Sequence, residues 1–243
     1  MAESETPHPD NIKPVQIGGE SFLDRLLPHM KKILAAIGVI VVVLTVVFTV
    51  LWFKERARAK ETALVAEVGA VASRPVRPTG EEPKPHQPSF ASDKERAEAV
   101  LAAISKHSTD RITNAYRGSM AFQAGQYDAA IAAYRKAVGD AGLDGALARE
   151  GLTLALEAKA TAETDAAAKQ KGLEEALAAA KTIQPDADGP RRIYALYHEA
   201  RLLALLSKSA EAKALFEKVK TMAEGTELSE LVEARLAAIG AAS

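Results

Sequence analysis

Hydrophobic and polar positions divide the chain into unequal stretches. Residues 33–53, ILAAIGVIVVVLTVVFTVLWF, run 21 positions without a charge. At 1.5 Å per residue a helix of that length is about 31 Å long, which matches the hydrocarbon core of a bilayer. Trp52 stands at one end, where an indole favours the headgroup level. Lys31 and Lys32 flank one side; Lys54, Arg56, Arg58 and Lys60 flank the other. The pattern predicts a transmembrane helix over 33–53 that stays in place. The small triplet Ala70-Val71-Ala72 resembles a signal-peptide cleavage site, but charged residues separate it from an apolar run that is already too long for a signal peptide. Basic residues near the two ends almost tie, with a slight lean toward a cytoplasmic C-terminus.

The rest of the chain is divided by composition. Residues 1–32 hold Pro7, Pro9, Pro14 and Gly18-Gly19 and read as a flexible tail, with a short amphipathic turn around Phe22, Leu23, Leu26 and Leu27. Residues 54–72 are rich in Ala, Glu, Arg and Lys and predict a juxtamembrane continuation of the helix. Residues 73–91 contain five prolines and predict an extended linker with a reach of roughly 60 Å. From residue 92 onward apolar positions recur at helical intervals. Ser92-x-x-Glu95 has capping-box spacing. Short polar breaks fall near residues 108–110, Gly125, 139–145, 163–165, 185–190, 207–209 and 225–226. They leave about eight helices and no stretch with strand alternation, so residues 92–243 are all-α.

Internal similarity sharpens that picture. GSMAFQAGQYDAAIAAYRKAV, residues 118–138, closely resembles a tetratricopeptide repeat. Gly118 and Ala130 are small where two helices must approach closely. Gly125 supplies the turn, and Tyr134 fills the space toward the next unit. Gly151 follows Gly118 by 33 positions, against the repeat's usual spacing of about 34. Its helix, EGLTLALEA, places Leu147 and Leu154 on a packing face. A polar insertion over 161–170 delays or lengthens the next helix, which carries Leu173, Ala176, Leu177, Ala180 and Ile183. In the third unit Ala200, Leu203, Ala212 and Phe216 take the small, large, small and aromatic places, and Ser207 replaces the turn glycine. Leu228, Leu231, Leu236 and Ile239 predict a closing helix, which a stacked array needs at its end. A generic alanine-rich bundle is the alternative to a repeat solenoid.

One anchor followed by a degenerate helical repeat domain, over residues 33–243, resembles the ancillary tetratricopeptide-like subunit of the bacterial Sec translocon. The resemblance implies a bacterial inner-membrane protein with a periplasmic repeat domain, against the lean of the charge count. It also implies contacts with chaperones, exported polypeptides or the export machinery. The longer proline-containing tail and the proline-rich stretch after the span depart from that layout.

Composition narrows the chemistry. Lys plus Arg number 31 against 32 acidic residues, so no electrostatic field favours nucleic acid. There is no cysteine, which excludes disulfides, thiolate nucleophiles and cysteine-ligated metals. The histidines form no HExxH, no phosphate-binding glycine loop occurs, and no serine sits in a Gly-x-Ser-x-Gly turn. The expectation is a non-enzymatic protein without cofactor or metal that binds other proteins. The first helix of each repeat lines the concave side, which nominates Tyr116, Gln123, Arg149, Tyr197 and Arg201, types enriched at binding hot spots. Packing of the tyrosines between helices is the competing reading. A membrane-tethered adaptor is the first functional expectation; a self-associating subunit of an envelope assembly is the second.

Overall fold

The computed structural model describes residues 29–82, 84–106 and 111–241. The amphipathic turn expected around Phe22 and the break expected near 108–110 lie outside them. Nine α-helices account for the regular structure among the described residues: α1 (Met30–Ala72), α2 (Asp93–Ser105), α3 (Asn114–Gln123), α4 (Tyr127–Ala137), α5 (Gly142–Ala162), α6 (Ala166–Ala180), α7 (Arg192–Leu205), α8 (Ser209–Met222) and α9 (Glu227–Ala241). The chain divides into two compact units, residues 1–59 and 60–243.

The first unit holds the apolar part of α1. Its aliphatic residues are exposed around the whole circumference, and the helix is long and apolar enough to cross a membrane. Two hydroxyls inside the run are satisfied locally. Thr45 and Thr49 donate to the carbonyls of Val41 and Thr45, each at 2.7 Å, so neither presents a bare polar group to its surroundings. At the far end Trp52 meets Phe53 edge-on at 5.1 Å, and Arg56 lies 5.3 Å from the indole centroid.

The second unit begins within α1 and contains everything after it. Val68 is buried, and with Val71 and Ala72 it packs on Val100, Ala103 and Ile104 of α2 and on Ile112, Tyr116 and Met120. Glu61 accepts a 2.6 Å bond from Arg111. The last turns of α1 are therefore a structural helix of the folded unit, because Val68, Val71 and Ala72 recur at i, i+3 and i+4 and form one stripe.

Residues 73–91 are also not the extended linker expected from their prolines. The amide of Phe90 donates to Pro75 and the amide of Arg77 donates to Phe90, both at 2.9 Å. These bonds close the segment into a loop around the isolated Val76–Phe90 bridge. The Phe90 ring is buried and supplies the apolar anchor that proline counting overlooks. Proline has no amide hydrogen, so the pairing cannot lengthen into a strand. At the end of this loop Ser92 Oγ accepts from Glu95 N at 3.1 Å. Glu95 in turn accepts from Ala91 N at 2.6 Å, one residue earlier than a standard capping box.

Helices α3/α4, α5/α6 and α7/α8 form three hairpins packed in sequence, with α2 before them and α9 after. Alanines at 130, 137, 148, 155, 176, 180, 195, 200 and 212 are fully buried, so helices approach closely along their whole length. The insertion over 161–170 delays α6 by extending α5, which runs to Ala162; Asp165 then caps α6 by accepting from Ala168 N. In α9 the buried residue is Val232, flanked by Leu228, Leu236 and Ile239. Leu231, expected on that face, is 44% exposed, because the stripe follows 228, 232, 236 and 239.

Candidate functional site

The first two hairpins are joined through one aromatic ring. A side chain at Gly118 would place its Cβ 2.6 Å from Cδ1 of Tyr134, and one at Gly151 would place it 2.3 Å from Cζ. Both glycines are therefore required by the ring between them, and α3, α4 and α5 close around it. Burial raises the Tyr134 phenol above its ordinary range, partly offset by the Ser119 hydroxyl.

Above this junction lies a groove of about 390 Å³. Thr113, Ala115, Tyr116 and Ser119 form one wall. Asp144, Leu147, Glu150, Gly151 and Leu154 of α5 form the other, with Tyr134 between them and Arg191 at the end. The α5 residues follow helical spacing, so one stripe of that helix faces the opening. Leu147 is nearly half exposed here and is not packed as expected. Burial also raises the Tyr116 phenol, against the opposing charge of Arg96.

Beyond the groove, α5 meets α7 through polar side chains. Glu150 forms an ion pair with Arg191 and takes a 3.3 Å contact from His198 Nε2. Arg201 bonds Glu157 at 2.5 Å and approaches His198 Nδ1 at 3.4 Å. A guanidinium only donates, so Nδ1 accepts and Nε2–H donates to Glu150. The hydrogen bond from His198, then the charge of Arg191, hold the Glu150 carboxyl below its ordinary range against the opposing effect of burial. The Arg191 guanidinium also lies 5.1 Å from the ring centroid of Tyr194, a partly exposed aromatic.

Among the five residues nominated from sequence, only Tyr116 lines the groove. It is also shared with the cluster around Val68. Gln123 is exposed at the end of α3 and contacts Ser119. Arg149 donates to the carbonyls of Val138 at 2.9 Å and Ile183 at 3.2 Å, satisfying backbone groups just past the ends of α4 and α6. Tyr197 is 8% exposed, in edge contact with Phe216 at 6.0 Å. Arg201 is paired with Glu157. Leu147, Glu150, Leu154 and Arg191 were not nominated. Three of them lie on one stripe of α5, so the signal existed; Arg191 lies in a turn, where periodicity gives none.

Among the described residues no cluster of three or more histidine, aspartate or glutamate side chains is arranged to hold a metal ion. Compared with known proteins, the chain matches no family model, no curated protein and no solved structure.

Proposed function

We propose that this protein is a membrane-anchored, tetratricopeptide-like adaptor that binds polypeptide segments through the groove between α3 and α5. The anchor is the apolar part of α1, in a bacterial inner membrane, with the helical domain on the periplasmic side near the export machinery. The observation that carries the reading is the groove itself: Tyr116 on one wall and Leu147 and Leu154 on the other present apolar surface that the fold leaves open. The repeat assignment draws support from Tyr134 held between glycines 33 positions apart and from matching turns after α3 and α7.

A photo-crosslinking residue at Leu147 in the full chain, in its native membrane, tests this. The expected products join the protein to exported polypeptides or chaperones, and a crosslinker at exposed Lys213 of α8 gives none of them. Products containing only a second copy of the chain would favour the self-associating subunit. Equal labelling from both positions would remove the groove from the argument. A topology reporter fused after Ser243 tests the side of the membrane independently.

A further inference from the structure

The loop between α1 and α2 carries Arg74, Arg77 and Lys84 as well as Glu81 and Glu82, and its basic side chains gather on one surface. A concave surface of about 420 Å³ is lined by Arg74, Arg77, Lys84, His86, Gln87 and Ser89, with Pro88 and Phe90 completing it. No carboxylate lines it. Glu81 and Glu82 line an adjoining cavity of about 130 Å³, which Arg77 and Lys84 also line. The side chains of Arg74, Lys84 and His86 make no hydrogen bond or ion pair among the described residues, and Arg77 gives one donor, Nη1, to the Ser89 carbonyl at 3.4 Å.

Arg74, Lys84 and His86 are exposed, and two further facts hold them in a defined arrangement. The loop is closed by the Phe90 backbone bonds and held by the buried Phe90 ring, so the cations are carried on a folded frame. His86 also sits at φ 66°, a left-handed conformation that side chains other than glycine rarely adopt. Exposed like charges held close together repel weakly through solvent, and a bound anion relieves that repulsion. Two guanidinium forks and an ammonium match tetrahedral oxyanions, and the volume lies within the range of small-ligand sites.

We infer that Arg74, Arg77, Lys84 and His86 form a binding site for a phosphate-bearing group. The group is carried either by a free phosphate ester or by a phospholipid headgroup. The site is separate from the groove and does not depend on the adaptor reading.

Calorimetry on the full chain in an uncharged maltoside detergent tests it with three probes: sn-glycerol 3-phosphate, short-chain phosphatidylglycerol, and glycerol as the uncharged control. At least one phosphate probe is expected to bind while glycerol does not. The double variant Arg74→Gln, Lys84→Gln weakens that binding about tenfold at low salt, and raising the salt weakens the wild type similarly. The double variant Lys213→Gln, Lys218→Gln removes the same charge from exposed positions of α8 and leaves binding unchanged. Binding of both phosphate probes assigns a free ester as sufficient; binding of the lipid alone assigns the headgroup. The inference is overturned if neither phosphate probe exceeds glycerol. It is equally overturned if the α8 variant weakens binding as much as the loop variant.

Discussion

Helix α5 meets its two neighbours by different means. Toward α3 it brings Gly151 against the Tyr134 ring, with Gly118 on the other side, and the contact is made by removing side chains. Toward α7 it extends Glu150 and Glu157 to Arg191, His198 and Arg201, and the contact is made by long polar ones. The first junction is close and leaves little room for added volume. The second carries charges that are only partly screened, and its two arginine Nε atoms are buried without a hydrogen-bond partner among the described residues. The groove opens where the first junction gives way to the second, and Arg191 both lines it and belongs to the second junction.

The first junction is where the largest effect is expected. Gly151→Ala forces a methyl group into the Tyr134 ring, which cannot retreat because Gly118 backs it. Overpacking of this kind should cost about 3 kcal/mol in chemical denaturation. Combining it with Tyr134→Leu separates the ring from other causes. The double variant should be more stable than the sum of the two single losses, since the smaller side chain vacates the space that the methyl group needs. Additive losses would show that the two residues do not press on one another.

The second junction should be softer. Glu150→Ala leaves Arg191 and His198 without their shared acceptor, at a cost of about 1–2 kcal/mol. The exposed part of Arg191 lets water replace some of what is lost. A cycle with Arg191→Ala measures the coupling directly. A coupling as large as that between Gly151 and Tyr134 would erase the proposed contrast between the junctions.

Acid distinguishes the junctions more gently. The Glu150 carboxyl is held below its ordinary value of 4.5 in the folded protein. A depressed carboxyl contributes stability that is full above the unfolded value and is lost as pH falls through the folded one. Thermal midpoints measured from about pH 5 down to about pH 3 should therefore fall more steeply in the wild type than in Glu150→Gln. Gly151→Ala, which presses on the Tyr134 phenol and on no group that titrates in this acid range, should shift every midpoint down without changing the slope. Parallel curves for the wild type and Glu150→Gln would show that the carboxylate contributes nothing to pH dependence.

The same contrast separates what the residues disclosed in advance from what they did not. Gly118, Tyr134 and Gly151 were legible because close packing restricts residue types at fixed spacing, and such restrictions survive in a bare sequence. Val68 and Phe90 were not. Each contributes one apolar residue to a contact between segments distant along the chain, and the charged helix and prolines around them dominate any local count. Arg149 and Tyr197 were placed on the correct helices, but periodicity names a helix face only coarsely. It does not reveal that a guanidinium is engaged by two carbonyls or that a tyrosine ring has a phenylalanine beside it. Leu147 and Leu154 of α5 read as a packing face, because a sequence does not show which stripe is left without a neighbour.

The smallest effect expected lies in the turns, where the first and third hairpins can be compared position by position. After α3, the amides of Gly125 and Gln126 donate to the carbonyls of Phe122 and Ala121. After α7, those of Ser207 and Lys208 donate to Ala204 and Leu203, with the same two spacings. Both follow the Schellman pattern, which places the residue after the C-cap in the left-handed region. Gly125 has φ 74° and Ser207 φ 59°. A side chain there is disfavoured by contact between its Cβ and the backbone, and glycine removes that contact. Ser207→Gly should thus stabilise the domain by about 0.5–1 kcal/mol, and Gly125→Ser should destabilise it by a similar amount. Opposite signs of similar size in denaturant titrations would show that the two turns are the same device carried by different residues. A destabilising Ser207→Gly would mean that the serine makes a contribution beyond its backbone, and the equivalence of the first and third hairpins would fail where their geometry matches most closely.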